Sequence, residues 1–357
     1  MKVSPRLADV RLGRILPPAI FILLGGWWFV VVAAHHNAPS ILLAWPVIAL
    51  VAVRWPALGI IGGSIVLRLG FVDACCTDQI AVSQAAWERV TSGLGGPYGV
   101  GYAVTDPPGS PFPYGPLALV WWLPGPAVEL AAAVGIMALL ASQRALITLA
   151  IFAVWAPRLT LIGVNDYSPA LLLLAGLIAI RSRPLLGAAT LAVAAALKPY
   201  AFAWFLPAIG YAGMRGAAVM AVTTTLLWSP LFLWWGGVPA FLETVRLAAR
   251  AHPDANAVNL PILRWAAVPF VALSLIARRW DDMVILGSAA FIIYLFLDRW
   301  ASGSYWIAVV PILGLALESR FHPITPGVSR MARRRGDSRR AAWRAWIHGP
   351  NAVDKAP

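Results

Sequence analysis

Apolar runs recur along almost the whole chain, from Ile15 to Leu317, and cations or prolines interrupt them at short intervals. A helix of about 20 residues crosses a hydrocarbon layer of about 30 Å, and lipid forces every backbone polar group to be satisfied within a helix or a closed barrel. Repetition on this scale therefore predicts an all-α polytopic membrane protein rather than a soluble one. The 357 residues are 60% hydrophobic with a mean hydropathy of +0.75, which leaves little material for a separate water-soluble domain.

Charge sets the direction of the runs. Lys2, Arg6, Arg11 and Arg14 precede the first run, so the N-terminus is expected in the cytoplasm. Spans are then expected at 15–34, 41–53, 57–72, 117–141, 145–164, 167–180, 185–197, 201–212, 216–235, 261–277, 283–297 and 304–317. That makes about twelve passes, within a range of 10 to 13, because several are short for a bilayer. In this arrangement 20 of the 28 Lys and Arg face the cytoplasm and five face outward. The first 34 residues resemble a signal peptide in their basic start and apolar middle, but further spans follow at once and they read as a retained helix.

Residues 1–317 thus form one membrane domain with two exterior loops, 73–116 and 236–260, and 318–357 form a basic cytoplasmic tail. The expected location is the plasma membrane, with both termini inside. A net charge of +13 would suggest nucleic acid in a soluble protein, but here the cations mark topology and, in the tail, contact with anionic membrane lipids. No nucleic-acid partner is expected. Cys75 and Cys76 are the only cysteines and are adjacent, so they indicate no disulfide framework. The five histidines are scattered, and neither a metal site nor a cofactor is expected.

The first exterior loop concentrates the polar residues. Ile80, Trp87 and Val90 recur at helical spacing, which predicts a juxtamembrane helix lying at the interface until Ser92 and the glycines end it. Asp78 falls at its start, and Arg89 lies about three turns on at nearly the same angle. Five exterior cations, Arg89, Lys198, Arg246, Arg250 and Arg299, suit a phosphate at the membrane surface. A carboxylate beside such a cation suits transfer of a sugar from a lipid phosphate: the acid takes the acceptor's proton and the cation receives the departing charge.

Asp78, the stretch Gly95-Gly96-Pro97-Tyr98 and the turn Pro113-Tyr114-Gly115-Pro116 resemble the GT-C polyprenyl-phosphate-dependent mannosyltransferases of actinobacterial membranes, such as those that build phosphatidylinositol mannosides. GVNDYSPALLLLAGLIAI, GAATLAVAAALKPYAFAWFLP and SYWIAVVP resemble three later stretches of the same family, so the likeness runs over 65–317. The chain departs from the family pattern at Val164, where Gln is usual, at Gly115, and at Asn259-Leu260-Pro261. The resemblance implies a GT-C-like bundle and an inverting transferase that moves mannose, or another hexose or pentose, from a polyprenyl-phosphate-sugar donor to a lipid or glycan acceptor at the outer face. It implies Asp78 as general base, with Asp73 next and Asp166 third. Lys198 is the first choice for the donor phosphate, followed by Arg250, His252 and Arg299. Arg89, Tyr98, Tyr114, Asn165, Asp166 and Asn259 complete the set as substrate-binding or loop-shaping residues.

A transporter or lipid flippase is the rival reading, with Arg68, Glu129, Arg158 and Arg264 lining a polar path through the bilayer. A non-catalytic subunit of an envelope assembly is a third.

Overall fold

The computed structural model describes residues 5–72, 77–251, 260–297 and 303–321. Asp73, His252, Asn259, Arg299 and the basic tail from residue 322 onward lie outside them. The described chain is helical almost throughout. From the N-terminus come α1 (Pro5–His35), α2 (Ala44–Arg54), α3 (Pro56–Leu69), α4 (Gln79–Thr91), α5 (Ala118–Trp121), α6 (Ala127–Ser142) and α7 (Leu146–Val154). Then follow α8 (Tyr167–Ala179), α9 (Pro184–Leu197), α10 (Phe205–Trp234), α11 (Gly237–Ala251), α12 (Ala267–Ile276), α13 (Trp280–Phe296) and α14 (Trp306–Phe321). One two-stranded antiparallel hairpin, β1 (Gly101–Tyr102) with β2 (Ser110–Pro111), interrupts them and pairs Gly101 with Pro111.

Among the described residues, two stretches, Ile15–His35 and Pro199–Trp234, are long and apolar enough to cross a membrane by length and composition. The second is not one straight rod. Gly213 stands at φ 74°, ψ −174° in the middle of α10. The Phe202 and Trp228 rings lie 5.5 Å apart, whereas a straight helix over that interval would separate them by roughly 39 Å. The chain reverses at Gly213, where only a residue without a Cβ takes that conformation cheaply. The reversal falls between the two short spans expected there.

Three sequence expectations need correction. The run 117–141 is broken: α5 ends at Trp121, Gly125 takes φ 79° between Pro124 and Pro126, and α6 starts afresh at Ala127. The run 145–164 stays helical only to Val154, because left-handed Ala156 (φ 44°) and Pro157 stop it and a short 3-10 turn follows. The stretch expected as a second exterior loop, 236–260, is helical as α11 over Gly237–Ala251. Phe241, Thr244, Val245 and Ala248 recur there at i, i+3, i+4 and i+7, and the face they share turns toward the protein.

The main core joins α1, α2, α3, α6, α7, α8, α9, α10, α13 and α14. At its centre α8 and α9 form a tight antiparallel hairpin. A Cβ on Gly187 would meet the Gly176 carbonyl and the backbone of Ile180, so glycine permits the close approach. With 13 and 14 residues these two helices rise only about 20 Å each. A second apolar cluster, with Ile80, Tyr98, Phe112, Tyr114, Trp122, Leu197 and Trp228, packs α4 and the hairpin loop over one end of the bundle.

Candidate active site

Because α8 and α9 run antiparallel, the start of one and the end of the other share an end of the bundle. Asp166 is the N-cap residue of α8 and Lys198 the C-cap residue of α9. The proline at 199 disfavours helical backbone at Lys198, which is extended (φ −138°, ψ 117°) and so leaves the helix there. Its Nζ donates to Asp166 Oδ1 at 2.6 Å and to Asn165 Oδ1 at 2.8 Å. Asn165 and Asp166 are fully buried and Lys198 is 6% exposed.

An N-cap aspartate normally accepts an amide N–H of its own helix. Asp166 does not, because Glu129 of α6 does it instead. Glu129 Oε2 accepts the backbone N–H of Tyr167 at 2.7 Å and of Ser168 at 3.2 Å, and Oε1 accepts from Trp122 Nε1 at 2.7 Å and from the Ser168 hydroxyl. The cap supplied from α6 leaves the Asp166 carboxylate for Lys198.

Three tyrosine rings surround the Lys198 ammonium: Tyr114 at 5.6 Å, Tyr200 at 5.5 Å and Tyr305 at 5.4 Å from Nζ to the centroid. Tyr114 is held there from the loop side. Gly115 donates its N–H to Leu197 and Leu117 donates to Ala196, and a Cβ on Gly115 would collide with the Ala196 carbonyl. That contact explains why the turn carries a residue without a Cβ at position 115. Burial pushes the Tyr114 phenol well above its ordinary range. The neighbouring Asn165 opposes the shift, and the carboxylates of Asp166 and Asp78 add to it, so this hydroxyl stays protonated.

Asp78 is the N-cap residue of α4 and is half-buried. Its Oδ2 accepts the Asp106 backbone N–H at 3.0 Å. The residues on either side tie it to the turn before α8: Thr77 N–H reaches the Ile162 carbonyl, and Gln79 Oε1 accepts the Asn165 N–H at 3.1 Å. Asp78, Tyr114, Asn165, Asp166 and Lys198, far apart in sequence, thus come to one end of the bundle.

A cavity of about 480 Å³ opens over Lys198. Tyr114, Lys198, Tyr200 and Tyr305 form part of its wall, and α11 supplies another part through Phe241, Thr244, Val245 and Ala248. Thr244 anchors α11 to the loop by accepting the Gly99 N–H at 2.7 Å. Arg264 and Tyr294 also line the cavity, with the guanidinium carbon 5.5 Å from the Tyr294 ring centroid. Val245 and Tyr294 are 40% and 44% exposed, which marks their side as the mouth. Asp78 does not line this cavity, although its charge acts on Tyr114.

Other expected site residues fall elsewhere. Arg89 Nε donates to the Gly96 carbonyl at 3.0 Å and braces the glycine turn after α4; it shares no site with Asp78, since about three helical turns separate them axially by some 16 Å. Arg250 is exposed on α11 and is not part of the cavity wall, because the lining face of that helix lies on the other side. Tyr98 lies behind Tyr114 and donates to its carbonyl at 3.0 Å, so it shapes the loop.

The residues of the polar-path reading also separate. Arg68 is fully buried, and its Nη1 donates to the Ala153 carbonyl at 2.8 Å and to the Ser64 hydroxyl where α7 ends. Glu129 caps α8, and Arg158 is exposed. Arg264 is the functional candidate that sequence reasoning placed only on this path. Its signal was position: it follows Pro261 at the start of an apolar run directly after a polar loop.

No family model, characterised protein or solved structure matches the chain.

Proposed function

We propose that this chain is a membrane-embedded glycosyltransferase of GT-C type, which moves a sugar, mannose first, from a polyprenyl-phosphate donor to a hydroxyl of a lipid or glycan acceptor at the outer face of the plasma membrane. The supporting observation is the cavity itself. One chamber carries two cations, Lys198 and Arg264, and four tyrosines at the end of a bundle, with the Asp78 carboxylate close enough for its charge to act on Tyr114. Exposed apolar side chains such as Leu23, Trp27, Leu43, Leu226 and Trp234 cover the outside of the helices, which suits lipid surroundings. In this reading α4 lies flat at the interface and the bundle crosses the bilayer about ten to thirteen times.

The reaction assigns each group one task. Asp78 takes the proton of the acceptor hydroxyl as its oxygen attacks the anomeric carbon from the face opposite the phosphate. The bond from that carbon to the phosphate oxygen breaks, the electron pair leaves with polyprenyl phosphate, and the configuration inverts. A cation of the cavity stabilises the negative charge that grows on the leaving group. Arg68 is fully buried with its guanidinium bonded where α7 ends, and both Glu129 oxygens are engaged, which weighs against a polar path and hence against transport.

The test is transfer from radiolabelled polyprenyl-phosphate-mannose by the full chain in proteoliposomes. Wild type should label a lipid-extractable or glycan product, and Asp78→Asn should fold and insert but lose the label. Transport of the intact donor without any transfer would sink the reading.

A further inference from the structure

Asp78 belongs to the start of α4 and Lys198 to the end of α9, so their relative position depends on what joins the two elements. Asn165 joins them. Its Oδ1 accepts from Lys198 Nζ at 2.8 Å, and its backbone N–H donates to Gln79 Oε1 at 3.1 Å. Gln79 directly follows Asp78, so two hydrogen bonds through one fully buried asparagine link the acid's own helical turn to the cation. The other flank of Asp78 is held as well. Thr77 donates its N–H to the Ile162 carbonyl at 2.5 Å, and the next residue, Gly163, stands at φ 95°, where a Cβ would come 3.1 Å from the Thr77 carbonyl oxygen. The turn before α8 is thus gripped by the residues on both sides of Asp78 and, through Asn165, by Lys198.

This grip is not what seats α4. Ile80, Val82 and Ala86 do that by packing in the apolar cluster with Tyr98, Tyr114 and Trp122. Nor does helix capping orient Asp78, whose side chain makes no bond to the amides of its own helix. The Gln79 amide therefore supplies direction rather than attachment. Without it the helix stays buried while its first turn can shift against the lysine. A general base must lie within hydrogen-bond reach of the proton it takes, and a misplacement of about 1 Å can cost on the order of 10²-fold in rate.

We propose that Gln79 is a positioning residue: through Asn165 it sets the Asp78 carboxylate at a fixed place relative to Lys198. This assignment rests on Asp78 as the base of the transfer proposed above.

The test measures transfer from radiolabelled polyprenyl-phosphate-mannose to a total membrane-lipid extract by full-length variants in proteoliposomes, and binding of the same donor in nanodiscs. Gln79→Met keeps the length of the side chain but offers no oxygen to the Asn165 N–H. It should lower kcat tenfold or more, while KM and donor affinity stay within twofold of wild type. Gln79→Glu restores an accepting oxygen and should recover kcat to within threefold. Gly163→Ala presses on Thr77 from the opposite flank, should repeat the loss in kcat, and carries the test if Gln79→Met does not fold. On the residual rate of Asp78→Asn, Gln79→Met should add less than twofold, because no base remains to be placed. A Gln79→Met variant with wild-type kcat beside an inactive Asp78→Asn overturns the assignment and leaves the base intact. A loss that Gln79→Glu does not recover, or one confined to KM and donor affinity, also overturns it. Asp78→Asn at the wild-type rate removes the base reading itself.

Discussion

Glu129 and Asp166 are carboxylates of equal depth on either side of the start of α8, and both are fully buried. Their surroundings differ. Both oxygens of Glu129 are engaged, by the Trp122 indole, the Ser168 hydroxyl and two backbone amides. Asp166 spends one oxygen on Lys198 and leaves the other without a partner in the protein. A buried acid whose shell the fold has filled holds helices together. One whose shell is open beside a cavity is poised for something the fold does not supply. Stability and activity should therefore fail at different acids.

The sharpest division concerns Asp78. Its substitution by Asn keeps an oxygen for the Asp106 amide, so folding and thermal unfolding in detergent should stay close to wild type. Transfer should fall by about 10²- to 10⁴-fold, the usual loss of a general base. Near-normal transfer would move the base to another acid, and a large loss of stability would place Asp78 with Glu129 instead. Glu129→Ala should show the converse. It strands the Trp122 N–H and the first amides of α8 in the interior, which should cost on the order of 3 kcal/mol or more in unfolding experiments. Saturating donor lipid should recover only the part due to mass action. A variant that unfolds like wild type but fails to bind donor would break the comparison.

Much of this site was legible in the sequence where local signals mark a helix end. Lys198-Pro199 stops α9 because of the proline, and the polar pair Asn165-Asp166 between two apolar runs marks a turn at the opposite end of α8. Antiparallel packing then brings the two ends together, as any short hairpin would. What escaped was pairing across the chain. Nothing near Glu129 announces that it caps a helix 38 residues later and so frees Asp166. The region after Trp235 read as loop because polar residues such as Glu243, Arg246 and Arg250 fill it, although the spacing from Phe241 to Ala248 carried a helical signal. Arg264 was invisible as a cavity residue because its role depends on α11 and α13 folding over the same space.

Gly115→Val sits between the two classes of acid. The added side chain must displace the Ala196 carbonyl or push Tyr114 off Lys198, at a cost of roughly 1 to 3 kcal/mol typical of overpacking. Donor affinity should drop together with the melting temperature, because the same contact seats the loop and closes the wall of the cavity. If the melting temperature falls and affinity does not, Tyr114 is a wall residue only by proximity.

Arg89 supplies the smallest expected effect and the control for all the others. It is the charged residue that sequence spacing set on the same face as Asp78, yet its guanidinium bonds the Gly96 carbonyl in a turn bordering neither Lys198 nor the cavity. Arg89→Ala removes one partly buried hydrogen bond, worth about 1 kcal/mol, and no group with a role in transfer. Rates and donor affinity should stay within twofold of wild type while the melting temperature falls slightly. A tenfold loss of transfer at unchanged stability would mean that the exterior face of α4 itself meets the substrate, and the division between filled and open shells would no longer identify the residues that act.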